Sequence, residues 1–271
     1  EMKRVLFWVV VVLVAFTFVA PLAWMYLTSF KTNADIYTQD VLKLFYFSPI
    51  LDNYKNLFFE TVFFREILNT FIISVVSTIL VMLVALPAAY SFARYETGHG
   101  HLLFVTISTR MFPAAVAAIP FFMLFKGLGM LDTRTVLILL YLYFNVSFAV
   151  FLLYGFFREI PRELEQSAMI DGYGRLDIFR KVIFPMIKPG AAITAMFCFI
   201  FSWNEFLYAF LFTRNLARTI TIGLASFWAS GQIDWGTMGA CVCLAILPTL
   251  AAAWFMQRYI IRGLTFGAVK G

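Results

Sequence analysis

Residues 67–93 read ILNTFIISVVSTILVMLVALPAAYSFA, twenty-seven positions without one Asp, Glu, Lys or Arg. A helix rising 1.5 Å per residue needs ~20 residues to cross the hydrocarbon of a bilayer, so this run is long enough to span it with some tilt. Moving outward, the same pattern recurs. Val5–Phe30, Thr135–Phe157 and Trp235–Gln257 carry no charge at all, Leu102–Phe125 carries only Arg110, and Pro189–Thr213 carries only Glu205. Each run holds 23 to 27 residues. In lipid a chain must satisfy its own backbone groups, so such runs become helices. The sequence therefore predicts an all-α integral membrane fold of six spans, about 5–30, 67–93, 102–125, 135–157, 189–213 and 235–257, in one transmembrane domain covering 1–271. Val5–Phe30 is too long for the core of a signal peptide and lacks a small-residue cleavage site, so it is kept as the first span.

Composition agrees. The chain is 62% hydrophobic and only 13% charged, and 33 of its 271 residues are Phe. A soluble core of that size cannot hide so much apolar surface. The net charge of +6 is spread through the turns between runs and forms no contiguous basic face, which argues against nucleic acid. With an inward N-terminus, twelve Lys/Arg fall on the cytoplasmic side and eight in the longer outer segments. The positive-inside rule then puts both termini in the cytoplasm of a multi-pass plasma (inner) membrane protein.

Cys198, Cys241 and Cys243 all lie in apolar runs, and His99 and His101 are the only histidines. Cys241 and Cys243, two apart, point to different helix faces. No metal site is expected, and small apolar packing accounts for the cysteines.

Three segments do not span: 31–66 and 214–234 outside, and Arg158–Lys188 inside. The last is the most informative. Ile160-Pro161-Arg162-Glu163-Leu164-Glu165-Gln166-Ser167-Ala168-Met169-Ile170-Asp171-Gly172 reads as a short helix. Pro161 suits its first position, Glu163 and Glu165 sit near the positive end, and Gly172 is placed to end it in a left-handed conformation. A second helix, about Leu176–Ile183, is expected to stop at Pro185. A surface connector is one reading of this helix–turn–helix. A docking element that passes rigid-body motion from a soluble partner better explains its Gly-ended turn and two prolines.

The segment resembles the EAA loop of ABC import permeases, in the binding-protein-dependent carbohydrate-uptake branch typified by the smaller maltose-type subunit. The family pattern, Glu-Ala-Ala, three residues, Gly, nine residues, Ile-x-Leu-Pro, falls here on Gln166-Ser167-Ala168, Gly172 and Val182-Ile183-Phe184-Pro185. Asp171-Gly172 matches the sugar branch. Trp203-Asn204-Glu205, Arg110-Met111-Phe112-Pro113, Gly129-Met130-Leu131-Asp132-Thr133 and the tail from Arg262 to Gly271 are also similar to family segments. The departures are Gln166 for Glu, Ser167 for Ala, Val182 for Ile and Phe184 for Leu. Gln166 hydrogen-bonds but carries no charge, and the neighbouring Glu165 points about 100° away on a helix.

The resemblance implies a type I importer permease that forms a pore with a homologous second permease. Two copies of a separate ATPase would hold ATP and Mg and receive the loop 158–188, and a periplasmic or extracellular solute-binding protein would deliver a sugar. It implies ATPase coupling through Glu165, Gln166, Ser167, Ala168, Asp171, Gly172 and Pro185, and ATPase contact by tail residues Thr265, Gly267 and Lys270 of the cytoplasmic segment 258–271. Trp228 and Gln232 would lie in a loop that meets the binding protein. The chain itself has no Gly-x-x-x-x-Gly-Lys-Ser/Thr phosphate loop, so it is not expected to be an enzyme or to bind a cofactor.

Arg110, Asn145, Asn204 and Glu205 are polar residues inside apolar runs, where such groups face a protein interior or a cavity. They line a substrate path or tie this chain to the partner permease. Glu205 lies nearer the outer end of its run and Arg110 nearer the inner end of its own, so they need not be partners. An ion-coupled secondary transporter would show internal repeats broken at the midplane with a coupling carboxylate, and neither is evident. An intramembrane enzyme would need a catalytic constellation that one Arg and one Glu do not make. A di- to oligosaccharide is the expected cargo, with acidic oligomers such as alginate fragments included.

Overall fold

The computed structural model describes residues 1–40, 42, 45–229 and 234–267, and for 228, 229 and 258–267 it describes the backbone alone. Every regular element among the described residues is helical. Helix α1 (Met2–Thr28) is followed by two short helices, α2 (Asn33–Ile36) and α3 (Asp52–Phe59), and then by α4 (Phe63–Tyr95). Next come α5 (His101–Ser108), α6 (Ala114–Gly127), α7 (Arg134–Glu159) and α8 (Glu163–Ile170). Helices α9 (Arg175–Ile178) and α10 (Phe184–Trp203) follow, then α11 (Leu207–Phe212), α12 (Ile220–Ala229) and α13 (Trp235–Gly267). Five stretches are long and apolar enough to cross a membrane, and a sixth is present if α5 and α6 count as one bent span.

Four expectations are corrected here. The run 102–125 is not one straight helix: after a single 3₁₀ turn at Thr109–Met111 the chain bends by 94° into α6. Pro113 causes this. It lacks an N–H and pushes the residue before it out of the helical region, and Phe112 is extended at φ −70° and ψ 130°. Pro185 does not stop the second loop helix either. The helix runs on from Arg175 to Trp203, widened into a π-turn over Phe179–Ile183, with Phe184 N–H bonding to Phe179 C=O. The wider turn accommodates the missing Pro185 donor without ending the helix. Finally, the run 189–213 is not one helix, since α10 ends at Trp203 and α11 begins at Leu207; α13 stays helical through residue 267, so the expected cytoplasmic segment 258–271 starts as its continuation.

The chain divides into two compact units, residues 1–67 with 220–248, and residues 68–219 with 249–271. In the first, Asn53 is buried and donates to Ser29 C=O (2.9 Å) and Lys31 C=O (2.8 Å), tying α3 to the end of α1. In the second, α10 packs chiefly on α7. Val81, Ala85, Ala89 and Ala93 of α4 join Ala149, Val150, Leu153 and Phe157 of α7 and Ile183, Ile187 and Cys198 in one buried cluster. The small residues four apart on α4 allow close helix approach, which drives association in lipid where apolar burial alone does not. Gly190 serves the same end, since a Cβ there would meet the Phe156 ring at 2.7 Å.

Candidate functional site

Span three breaks at 109–113, and the helix ending at Trp203 breaks before α11 begins. Both breaks border one cavity of about 490 Å³ within the second unit. Arg110, Asn145, Asn204 and Glu205 all line it, so the bend brings together residues that their places along the runs set apart. Tyr141, Tyr208, Ser202, Phe112, Phe144 and Phe201 complete its wall.

The four polar residues are held differently. The Arg110 guanidinium donates to Phe144 C=O at 3.0 Å and lies 5.5 and 5.2 Å from the ring centroids of Phe148 and Phe201, a cation–π setting. Asn145 is buried and donates to Ser202 Oγ (3.0 Å), which also accepts from Ser77 (3.2 Å), so it bridges helices inside this chain. The Glu205 carboxylate accepts from Tyr141 Oη (2.9 Å) and from the N–H groups of Tyr208 (2.9 Å) and Ala209 (3.1 Å). It thereby satisfies donors of the first turn of α11 that have no helical partner. Asn204 donates to Ile200 C=O at 2.8 Å and is otherwise exposed, as Arg110 is. The cavity thus offers exposed donors beside aromatic faces, equipment for holding a polar ligand by hydrogen bonds and ring contact. Sequence reasoning missed Tyr141, Tyr208 and Ser202, because nothing in a linear run distinguishes them from the many other aromatic and hydroxyl residues.

The loop 158–188 forms α8, α9 and the start of α10. Pro161 falls just before the N-cap Arg162 and not at the first helical position. At the far end the N–H of Gly172 bonds Met169 C=O (3.1 Å) and that of Tyr173 bonds Ala168 C=O (3.0 Å). This Schellman arrangement needs a left-handed residue, and Gly172 has φ 85°. Gln166, Ser167 and Asp171 are exposed, as are Met169 (49%) and Ile170 (86%), whereas Ala168 is buried. Glu165 is buried too, bonded to Arg94 Nε and to Tyr90 Oη. Its carboxylate faces into its own chain, so it cannot supply a charge in place of Gln166. Neither Arg94 nor Tyr90 was legible as a partner, since both read as ordinary residues at the end of a span.

At the opposite end of α7, Asp132 sits at φ 57° and its carboxylate accepts the N–H groups of Arg214, Asn215, Leu216 and Ala217 at 3.0–3.2 Å. Burial pushes this carboxyl up, but the four backbone donors outweigh it and hold it below its ordinary 3.8. Beside it, Asn69 donates to the carbonyls of Leu216 and Arg218, both at 2.9 Å, and accepts from Arg134 Nε at 2.7 Å. Of the other sequence-predicted residues, Trp228 lies on α12 and Thr265 and Gly267 on α13, by backbone position. Gln232 and Lys270 lie outside the described residues.

Apolar helices long enough to cross a bilayer, a polar cavity where two of them break, and an exposed capped helix between spans define a multi-pass membrane translocation subunit. A family model described as the binding-protein-dependent transport system inner membrane component matches residues 84–265, and the chain belongs to that family. It is 36% identical over 265 residues to a probable ABC transporter permease protein of Sinorhizobium fredii, covering 98% of this chain and 94% of the relative. It is 33% identical to a trehalose transport system permease protein of Mycobacterium tuberculosis, covering 99% of each. Its fold matches a chain in the crystal structure of a bacterial ABC transporter involved in the import of the acidic polysaccharide alginate. That match has TM-score 0.81 and 21% identity and covers 95% of this chain and 96% of the other. The chain is a permease subunit and not an enzyme.

Proposed function

We propose that this chain is the pore-forming permease of an ATP-driven importer that carries a di- to oligosaccharide across the inner membrane by alternating access. One observation carries the coupling half of this reading: α8 is a capped helix that turns Gln166, Ser167, Met169 and Ile170 outward between two spans. A soluble ATPase dimer engages that face, and its closure rocks the helices around the cavity as rigid bodies. ATP and Mg reside on the ATPase. A homologous second permease completes the pore, and an external solute-binding protein delivers the cargo. Both termini face the cytoplasm.

The sugar assignment draws on the trehalose and alginate systems that the chain is similar to. Donors at Arg110 and Asn204 beside Phe112, Phe144 and Phe201 suit hydroxyls and sugar-ring faces. Asn145 and Glu205 hold the wall of the path. Co-purification tests the reading. The tagged chain, solubilised from its native membrane, should bring an ATPase and a second permease with it. Recovery of the chain alone, in a detergent that preserves other transporter complexes, would overturn it.

A further inference from the structure

Only two of the eight residues of α8 are buried, Glu165 and Ala168. A helix with so small an apolar hold would slide or tilt if pushed, unless something directional fixes it. That fixture is a charge pair. Arg94, at the end of α4, donates through Nε to Glu165 and through Nη2 to Ile160 C=O at 2.9 Å. Tyr90, one turn earlier on α4, donates to the other Glu165 oxygen at 2.9 Å, and Arg162 donates to Ala93 C=O at 3.3 Å. The Arg94 and Glu165 side chains are only 5% and 7% exposed. Ala93, the neighbour of Arg94 in sequence, and Tyr90 belong to one buried apolar cluster with Phe157, Ile160, Ala168 and Ile178. In such a dry setting an ion pair with its hydrogen bonds completed is strong in place and expensive to break on one side.

We infer that Arg94 and Glu165 form a transmission latch: positioning residues that lock α8 to the end of α4, so that a displacement of α8 moves α4 with it. Met169 and Ile170 face outward to be pushed, and Glu165 faces inward to pass the push on. The inference rests on the proposed engagement of α8 by an ATPase, and it adds a residue-level route from that contact into a spanning helix.

The test uses the whole complex and needs no knowledge of the sugar. Cys198, Cys241 and Cys243 are replaced by Ala, and Asn204→Cys is introduced as a cavity reporter for a membrane-impermeant maleimide. With the latch intact, MgATP is expected to change the labelling rate about tenfold, a coupling of ordinary size. Arg94→Met combined with Glu165→Met removes the latch without stranding a buried charge, and such apolar replacements generally fold. That variant is expected to retain the ATPase in the wild-type ratio while its labelling no longer responds to MgATP. A preserved tenfold response overturns the latch. So does loss of the ATPase from the double variant, because the pair would then shape the docking surface and not transmit through it. A reporter complex with the latch intact that lacks the ATPase, or holds it without any response to MgATP, counts against the proposed function itself.

Discussion

The two ends of α7 are fastened in opposite ways. At the Arg134 end, the Asp132 carboxylate collects four successive backbone N–H groups, and Asn69 adds two backbone carbonyls. At the Glu159 end, the fastening centres on a buried side-chain pair, Arg94 to Glu165 with Tyr90 in support, and Arg94 and Arg162 add bonds to the carbonyls of Ile160 and Ala93. Backbone clamps fix the shape of a loop, because every bond is to the chain's own path. A side-chain pair instead ties one whole helix to another and leaves the rest of each free to carry other contacts. The difference fits the role proposed for α8, a helix that must pass motion on, while the Asp132 clamp holds the form of a loop.

Removing one partner of the buried pair should do the most damage. Arg94→Ala leaves Glu165 charged and unpaired in an apolar surround, which costs about 3–5 kcal/mol. The thermal unfolding temperature of the purified complex should fall accordingly, and Glu165→Ala should fall by a similar amount. A loss well under 1 kcal/mol would mean that water reaches this pair and would erase the contrast between the two ends.

The Asp132 clamp should come next. Asp132→Ala removes charge-assisted bonds to four amides, about 2 kcal/mol at a partly exposed position. Because its folded carboxyl titrates below 3.8, Asp132 stabilises the fold above that value. As pH falls toward the lowered value the unfolded chain takes the proton first, and this stabilisation is lost. Asp132→Asn should therefore flatten the acid limb of the stability profile. An unchanged acid limb would show that the amides do not set the charge there.

Gly172 probes the loop end without touching the pair. A Cβ at this position would meet nothing within 4 Å, so the only cost of adding one is the left-handed backbone at φ 85°. Gly172→Val should cost about 1–2 kcal/mol locally, whereas Gly174→Ala, at φ −73°, should cost far less. Sugar uptake per ATP should fall in the first variant and hold in the second. Equal uptake in both would remove the turn from the coupling route.

How legible these features were follows from what each depends on. Uncharged runs of span length reveal themselves along the chain, and so does the Gly172 turn, because its spacing is local. The 94° bend was visible in principle at Phe112-Pro113, but a run of span length in 102–125 with Arg110 as its single charge outweighed one proline. Pro185 gave the reverse error: it read as a stop, and a π-turn absorbed it. The cavity residues could be listed, since polar groups in apolar runs stand out, but their meeting depends on two helix breaks lying at the same place. Arg94 and Glu165 are seventy-one positions apart, and their pairing needs the packed helices to exist first.

Gln166 gives the gentlest perturbation and separates docking from transmission. Its side chain is exposed and carries no charge, one residue from a glutamate whose charge is committed inward. In the proposed docking, α8 would offer its partner the exposed Gln166 and Ser167 for hydrogen bonds and Met169 and Ile170 for apolar contact. Such a contact should respond little to salt, because screening acts on charge. Gln166→Glu should leave the stability of the chain within about 0.5 kcal/mol, as exposed substitutions do. It should also make ATPase retention sensitive to salt between low and physiological ionic strength, because it places a new charge on the docking face. If retention in the unaltered complex already falls steeply with salt, the contact rests on nearby exposed charges such as Glu163 and Asp171, and the contrast between an uncharged docking patch and a charged inner latch fails at its outer half.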